Sequence, residues 1–357
     1  MSGARRGREA GRELAVLARK VRLVARATPL NFAREVARVG AAWSEGRVEE
    51  PRFSYAPPSG LVELRQAIAQ AAAACEGPLA ELYSARAEEL CVELGACEVV
   101  GTPAFRERLR DRFPHRDRFD EEADQLAERW ASIEPAGEGG ETIATDDEHD
   151  ARSLLSAMRR AVGEHRLPVR VKASPGMAPL AATGDGVIYV AAGRRLSAED
   201  AARTVLHEVL GHALPWAMAK RAEEPIFDLG TAFGADDQEG RALAIEEQAG
   251  ALSAGRRREL ALRHVSARGL AAGATFVDTV RALLRHDASV EDAVRIGARV
   301  HRGGGLGREV AYVPGLLRVR TALSADPGLD ALLGRGRVSV EAARVMAALG
   351  EWESEAE

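Results

Sequence analysis

Long apolar runs are absent from this chain. No stretch approaches the length needed to cross a bilayer, so a membrane-spanning protein is not expected. Aromatic residues are scarce, at 4% against 46% hydrophobic residues overall, so the core must be built mostly of Ala, Leu and Val. Lysine is nearly missing. Of 49 basic residues only Lys20, Lys172 and Lys220 are lysines, an Arg and Ala bias that points to a high-GC bacterial genome. The net charge is −5 and no long basic block stands out, so a nucleic-acid partner is not expected. Three cysteines, Cys75, Cys91 and Cys97, are odd in number and lack C-x-x-C spacing; they read as reduced, helix-packed thiols. Met1 to Arg12 is polar and Arg-rich without the apolar core of a secretory signal, and a cytoplasmic location is the expectation. Residues 14–24 alternate apolar positions with Arg and Lys as an amphipathic helix does, and packing on the domain explains that pattern better than a membrane surface.

Against this plain background one segment stands out: Leu206-His207-Glu208-Val209-Leu210-Gly211-His212, followed by Gln238-Glu239-Gly240. Two imidazoles, a carboxylate and a base are what a catalytic zinc needs to hold and activate a water. The spacing is H-E-x-x-x-H. On a regular α-helix, residues four apart differ in direction by about 40°, but residues five apart differ by about 140°. His207 and His212 therefore cannot reach one metal from an undistorted helix. A π-bulge returns positions five apart to one face, and such bulges favour functional sites. Gly211 offers the backbone freedom to open there. Glu208 then lies beside the metal as a general base.

A third ligand is required. Glu239, Glu246 and Glu247 are the local carboxylates, on a segment from Glu239 to Leu252 that reads as helix. Glu239 and Glu246 are seven apart and share a face. Glu239 is the expected ligand; Glu246 either supports a ligand from behind or replaces Glu239, while Glu247 reads as a solvated face. Upstream, Gly186 to Ala191 reads as a short strand and Ser197-Ala198-Glu199-Asp200 as a capped helix start. A strand leading into a helix with the His-Glu pair is the arrangement of zinc peptidases, and the strand edge is expected to pair with an extended peptide.

Three motifs in order, His207 to His212, Gln238-Glu239-Gly240-Arg241-Ala242 and Arg302-Gly303-Gly304-Gly305-Leu306, resemble one group of proteins. It is the QEGLA-motif family, once described as flavohaemoglobin expression-modulating, which includes the eukaryotic microtubule-associated tyrosine carboxypeptidases. Pro51 to Tyr55, Val100 to Phe105, Val300 to Gly305 and Ala311 to Leu316 extend the resemblance over residues 25–340. It implies a zinc carboxypeptidase that removes a C-terminal aromatic residue, with His207, His212 and Glu239 on zinc and Glu208 as base. This chain departs from the pattern at Gly211, where Thr or Val is common, at Arg241 in place of Leu, and at Arg308-Glu309 in place of Lys-Asp.

In that light Arg302 and the three glycines after it could present a guanidinium and free backbone N–H groups to a substrate carboxylate; otherwise they end the preceding helix with positive φ. Arg308 is a second candidate for that carboxylate, and Tyr312 a candidate donor to an oxyanion. The rivals to this reading are an endopeptidase or amidase with the same metal site, and a non-catalytic zinc-binding regulatory protein.

The expected fold is α+β and α-dominated: a zincin-like core with a small sheet beside the active-site helix, wrapped by helices. Residues 1–133 read as a helical region, with helical periodicity at Leu61 to Ile68 and Leu79 to Leu94. Residues 134–150 are Gly-rich and acidic and read as a loop or linker. Residues 151–349 read as the catalytic region: a helix at Ala151 to Val162, a strand at Pro168 to Val171, then the strand and helix above. One or two helices follow over 256–284 with a break near 269–273, then a helix over 290–300 with Ser289 and Asp292 as a cap pair, then short helices over 316–349. Residues 350–357 form an acidic tail. The partner is expected to be the C-terminus of a peptide or protein; oligomeric state is not readable.

Overall fold

The computed structural model describes residues 3–113, 118–134, 141–177 and 179–350, with side chains from residue 6 onward. The fold is helix-dominated α+β with two small sheets. Strands β1 (Thr142–Ala144) and β5 (Arg195–Ser197) pair antiparallel. Strands β2 (Arg170–Ser174), β3 (Ala181–Gly184) and β4 (Val187–Ala191) form a second sheet in the order β2-β4-β3, with β2 parallel and β3 antiparallel to β4.

Two expectations change here. The strand at 187–191 forms as read, but it is the central strand, hydrogen-bonded on both sides, and so has no edge to offer a peptide. The free edges belong to β2 and β3. The stretch read as loop over 134–150 carries β1, and its residues 135–140 lie outside the described residues, as do 351–357 of the tail.

Sheet register decides what faces the site. Val171, Ile188 and Thr183 lie in one cross-strand row; Lys172, Tyr189 and Ala182 lie in the next, on the opposite face. The first row packs toward the metal-motif helix with Leu154, Met158 and Val209 in one apolar cluster. Ser197 ends β5 and caps the next helix, accepting from the Asp200 N–H at 3.0 Å, so sheet and helix join without a loop. That helix, Ala198–Val205, runs directly into a π-helical segment, Leu206–Ala213. The Leu214 N–H closes it on the Val209 carbonyl, five residues back. The open turn expected from the histidine spacing is thus an eight-residue π segment, longer than a single bulge.

The glutamate helix, Gly234–Gln248, starts under tight control. Asp236 accepts two bonds from the Arg112 guanidinium (2.8 and 3.1 Å), and Asp237 accepts from Arg318 (2.8 Å) and from the Val340 N–H (2.8 Å). Charge at the first turn also complements the helix dipole. Small residues then let this helix approach its neighbours. A Cβ on Gly211 would stand 2.5 Å from Ala242 Cβ, and one on Gly240 would stand 2.2 Å from the Gly315 carbonyl carbon. Gly211 therefore serves close packing of the π segment against the glutamate helix, not the backbone freedom expected of it.

Around this unit the chain wraps helices much as their periodicity indicates: Leu61–Ala73, Ala80–Cys97, Ala254–Ala271, Phe276–Arg285, Val290–His301 and Tyr312–Ala325. Ser289 caps the fifth by accepting from the Asp292 N–H at 3.1 Å. Residues 14, 15 and 17 of the first helix are buried in the main core. The cysteines are free, two of them buried, and burial pushes the Cys97 thiol up to about 12. Among the described residues no helix is long and apolar enough to cross a membrane.

Candidate metal centre

The π segment turns both imidazoles to one side, with ring centroids 4.9 Å apart. His207 Nε2 and His212 Nε2 are 3.2 Å apart, and Glu239 Oε2 lies 3.4 Å from the first and 3.6 Å from the second. A tetrahedral metal with bonds of about 2.0–2.1 Å holds its donors about 3.4 Å apart. The three atoms therefore form one face of such a tetrahedron. They are also the one group among the described residues whose donor atoms converge this way.

The far side of each imidazole is fixed. His207 Nδ1 meets Glu246 Oε1 at 2.7 Å, and His212 Nδ1 meets Gln238 Oε1 at 3.1 Å. With each oxygen accepting from an Nδ1–H, the Nε2 lone pairs of neutral rings would point at the shared point. Glu246 is fully buried and held in turn by Arg256 (3.2 and 3.3 Å), which also donates to Glu259. Of the two carboxylates, Glu239 faces the point the two Nε2 atoms share and Glu246 stands behind His207.

Charge is balanced tightly here. Burial alone would pull the His207 pKa down, but Glu239 and Glu246 outweigh it and raise it to about 9. Burial opposes the Glu239 charge as well, and His212, Arg308 and His207 together hold its carboxyl well below the usual range.

Glu208, next to His207 in the chain, is buried, and its Oε2 accepts from Thr183 Oγ1 at 2.7 Å. Thr183 projects from β3, so the sheet edge fixes this carboxylate. Nothing in the sequence marked Thr183, because β3 is too short to show a period. Arg308 donates to Glu239 Oε1 at 2.7 Å and lies over the Tyr312 ring, 5.7 Å from its centre. Burial disfavours its charge, but Tyr312 and Glu239 more than compensate and its pKa is raised. Tyr312 is buried, its hydroxyl 3.4 Å from Arg299 Nη2.

Arg302 sits differently from the expectation. Its side chain is only 5% exposed, 3.9 Å from Glu309, with an Nε that finds no hydrogen-bond partner. Burial pulls its pKa down to about 10. Of the glycines after it, Gly303 and Gly305 are buried and Gly304 is exposed. The Gly303 N–H donates to Tyr55 Oη at 2.8 Å, its carbonyl accepts from the Gly101 N–H at 2.7 Å, and Gly304 abuts the Thr102 carbonyl. All three glycines have positive φ (75, 102 and 119°), so the turn ends the preceding helix. The motifs at 51–55, 100–105 and 302–306, distant in sequence, meet in this one joint. Arg241 pairs with Asp330 through two bonds, 2.8 and 3.2 Å.

No curated protein matches the chain. One solved structure, described as that of a "putative lipoprotein" from Colwellia psychrerythraea, shares 16% identity at a TM-score of 0.43. The match covers 89% of this chain but 65% of that one, and a likeness of this size carries no argument. The description of a microtubule-associated tyrosine carboxypeptidase matches residues 44–354, which include every residue of the converging site. The chain belongs to the microtubule-associated tyrosine carboxypeptidase family.

Proposed function

We propose that this protein is a zinc-dependent carboxypeptidase of zincin-like architecture, with a preference for an aromatic C-terminal residue. The observation that carries the reading is the triangle of His207 Nε2, His212 Nε2 and Glu239 Oε2. Two imidazoles and one carboxylate are a donor set that suits zinc and leaves its fourth position open. When bound there, the ion supplies Lewis acidity that lowers the pKa of a water and polarises a peptide carbonyl.

The chain's own residues do the rest. Glu208, held by Thr183, takes a proton from the attacking water and delivers it to the leaving amine. The Tyr312 hydroxyl, accepting from Arg299, keeps its own hydrogen free to donate to the oxyanion. Arg308 uses one nitrogen on Glu239; its side chain, 20% exposed, is better placed than Arg302 to meet a substrate carboxylate with the others. The aromatic preference rests on the family alone, and a microtubule substrate is not carried over.

Elemental analysis of the wild type beside Glu208→Gln and Glu239→Ala is the test, followed by peptides ending in Tyr with free or amidated C-termini. About one zinc per chain is expected in the wild type, kept in Glu208→Gln with turnover reduced by a factor of 10² or more, and lost or weakened in Glu239→Ala. Hydrolysis of amidated peptides as fast as free ones would make it an endopeptidase or amidase. Zinc without any hydrolysis would make it a regulatory protein.

A further inference from the structure

The free edge of β2 lies on the far side of its sheet from β3, two strand spacings, about 10 Å, from the strand that holds Glu208. Parallel pairing with β4 uses alternate residues. The Arg170 N–H donates to Gly186 and the Ser174 carbonyl accepts from Ala192. The N–H and C=O groups of Val171 and Ala173 therefore point outward, and among the described residues no hydrogen bond reaches them. Val171 is half-buried and Ala173 exposed, so this is a strand edge in contact with solvent.

Beside the edge runs an open cleft of about 460 Å³ between β2 and the helix Leu154–Glu164. Its floor is apolar. Its rim carries Arg159, Arg166, Arg170 and Lys172, and no carboxylate lines it. Only Arg159 has an ion partner among the described residues, Glu148. Gly163 faces the cleft, and a Cβ there would meet nothing within 4 Å, so the helix yields room along its length. Four positive charges in one cleft run against the chain's net charge of −5. Guarding an edge strand against aggregation needs a single charge on the strand; it does not explain two arginines on the facing helix and turn.

We infer that the β2 edge is a docking strand for an extended acidic segment of a partner protein, which adds as a further strand on Val171 and Ala173 while its carboxylates meet Arg159, Arg166, Arg170 and Lys172. Main-chain pairing supplies the binding and the basic rim the selectivity. A nucleic acid of equal charge matches the rim but not the strand.

The probe is a fluorescein-labelled peptide of about ten residues, built of Glu-Glu-Val-Val repeats so that both faces of the added strand carry carboxylates, and amidated so that the metal centre has no carboxylate to grip. Anisotropy with the full chain is expected to show binding that a peptide of Lys-Lys-Val-Val repeats lacks. Lys172→Glu combined with Arg170→Glu should weaken it at least tenfold. Ala173→Pro should do the same, since proline removes the outward N–H and no ladder bond. Thermal unfolding midpoints and metal content close to wild type keep these variants interpretable. Absence of wild-type binding overturns the proposal in favour of an edge guard. So does undiminished binding by Ala173→Pro, or equal binding of single-stranded DNA, either of which reduces the cleft to a charge patch.

Discussion

At the scale of single residues, chemistry was legible where it depends on residue type and near spacing, and illegible where it depends on who stands behind whom. His207, Glu208 and His212 declare themselves because few side chains bind metal and a five-residue step demands a helix that is not regular. The choice between Glu239 and Glu246 was open in the sequence, since both share one helix face. What separates them is Arg256, ten residues beyond Glu246, which pins that carboxylate behind His207. Thr183, Gln238 and Arg308 are placed by tertiary packing, and no local pattern announces their partners. The Glu246–His207 bond makes a direct prediction. Glu246→Gln keeps an acceptor at His207 Nδ1 but removes the charge that raises ring basicity and pairs Arg256. Metal affinity should fall about 10- to 100-fold, read by competition with a chromogenic chelator. Stability should drop by roughly 1–3 kcal/mol as buried Arg256 loses a charged acceptor, read by urea denaturation. Unchanged metal affinity would mean that Glu246 supports the fold and does not tune the site.

At the scale of elements, long amphipathic helices were legible with their caps, and short strands were not. β1, β3 and β5 are three or four residues long, which is too little to display alternation, and β1 sits in a segment whose composition reads as linker. The π segment was deduced from histidine geometry instead of propensity, and its length reflects the need to keep both rings on one side while Gly211 touches the glutamate helix. That contact can be tested against a glycine that touches nothing. Gly211→Ala forces a Cβ to within 2.5 Å of Ala242 and must push the two ligand helices apart. Such overpacking should cost about 1–3 kcal/mol and weaken metal binding with it. Gly163→Ala, in the helix Leu154–Glu164 where a Cβ meets no neighbour, should stabilise by about 0.5–1 kcal/mol and leave metal binding alone. Denaturation curves and metal titrations of the pair decide the matter. Equal effects in both would show that helix propensity, not the interhelical contact, governs Gly211.

At the scale of the whole molecule, the division into a helical region over 1–133 and a catalytic region over 151–349 follows composition, but the packing crosses it. One apolar cluster contains Leu14, Ile68, Leu90 and Phe105 from the first region with Ile226, Leu243, Leu316 and Met346 from the second. Polar ties cross at the same place. Arg112 holds Asp236 at the start of the glutamate helix, Glu89 accepts from the Phe233 N–H at 2.9 Å, and Tyr83 donates to Glu224. Periodicity reports which face of a helix is apolar, not which distant helix covers it, so the sequence could not show this joint. A fragment of residues 134–357 would expose that face of the cluster and leave Asp236 without its buried guanidinium. Stripping one partner from a buried pair costs about 3–5 kcal/mol, and a whole domain is stable by only about 5–15 kcal/mol. The lost apolar contacts add to the deficit. The fragment should therefore fail to unfold cooperatively in calorimetry and should bind no metal at the site, although it carries all three donors. A fragment that melts in one sharp transition and takes up one zinc would show that the first region is a dispensable cover and that the site is organised without it.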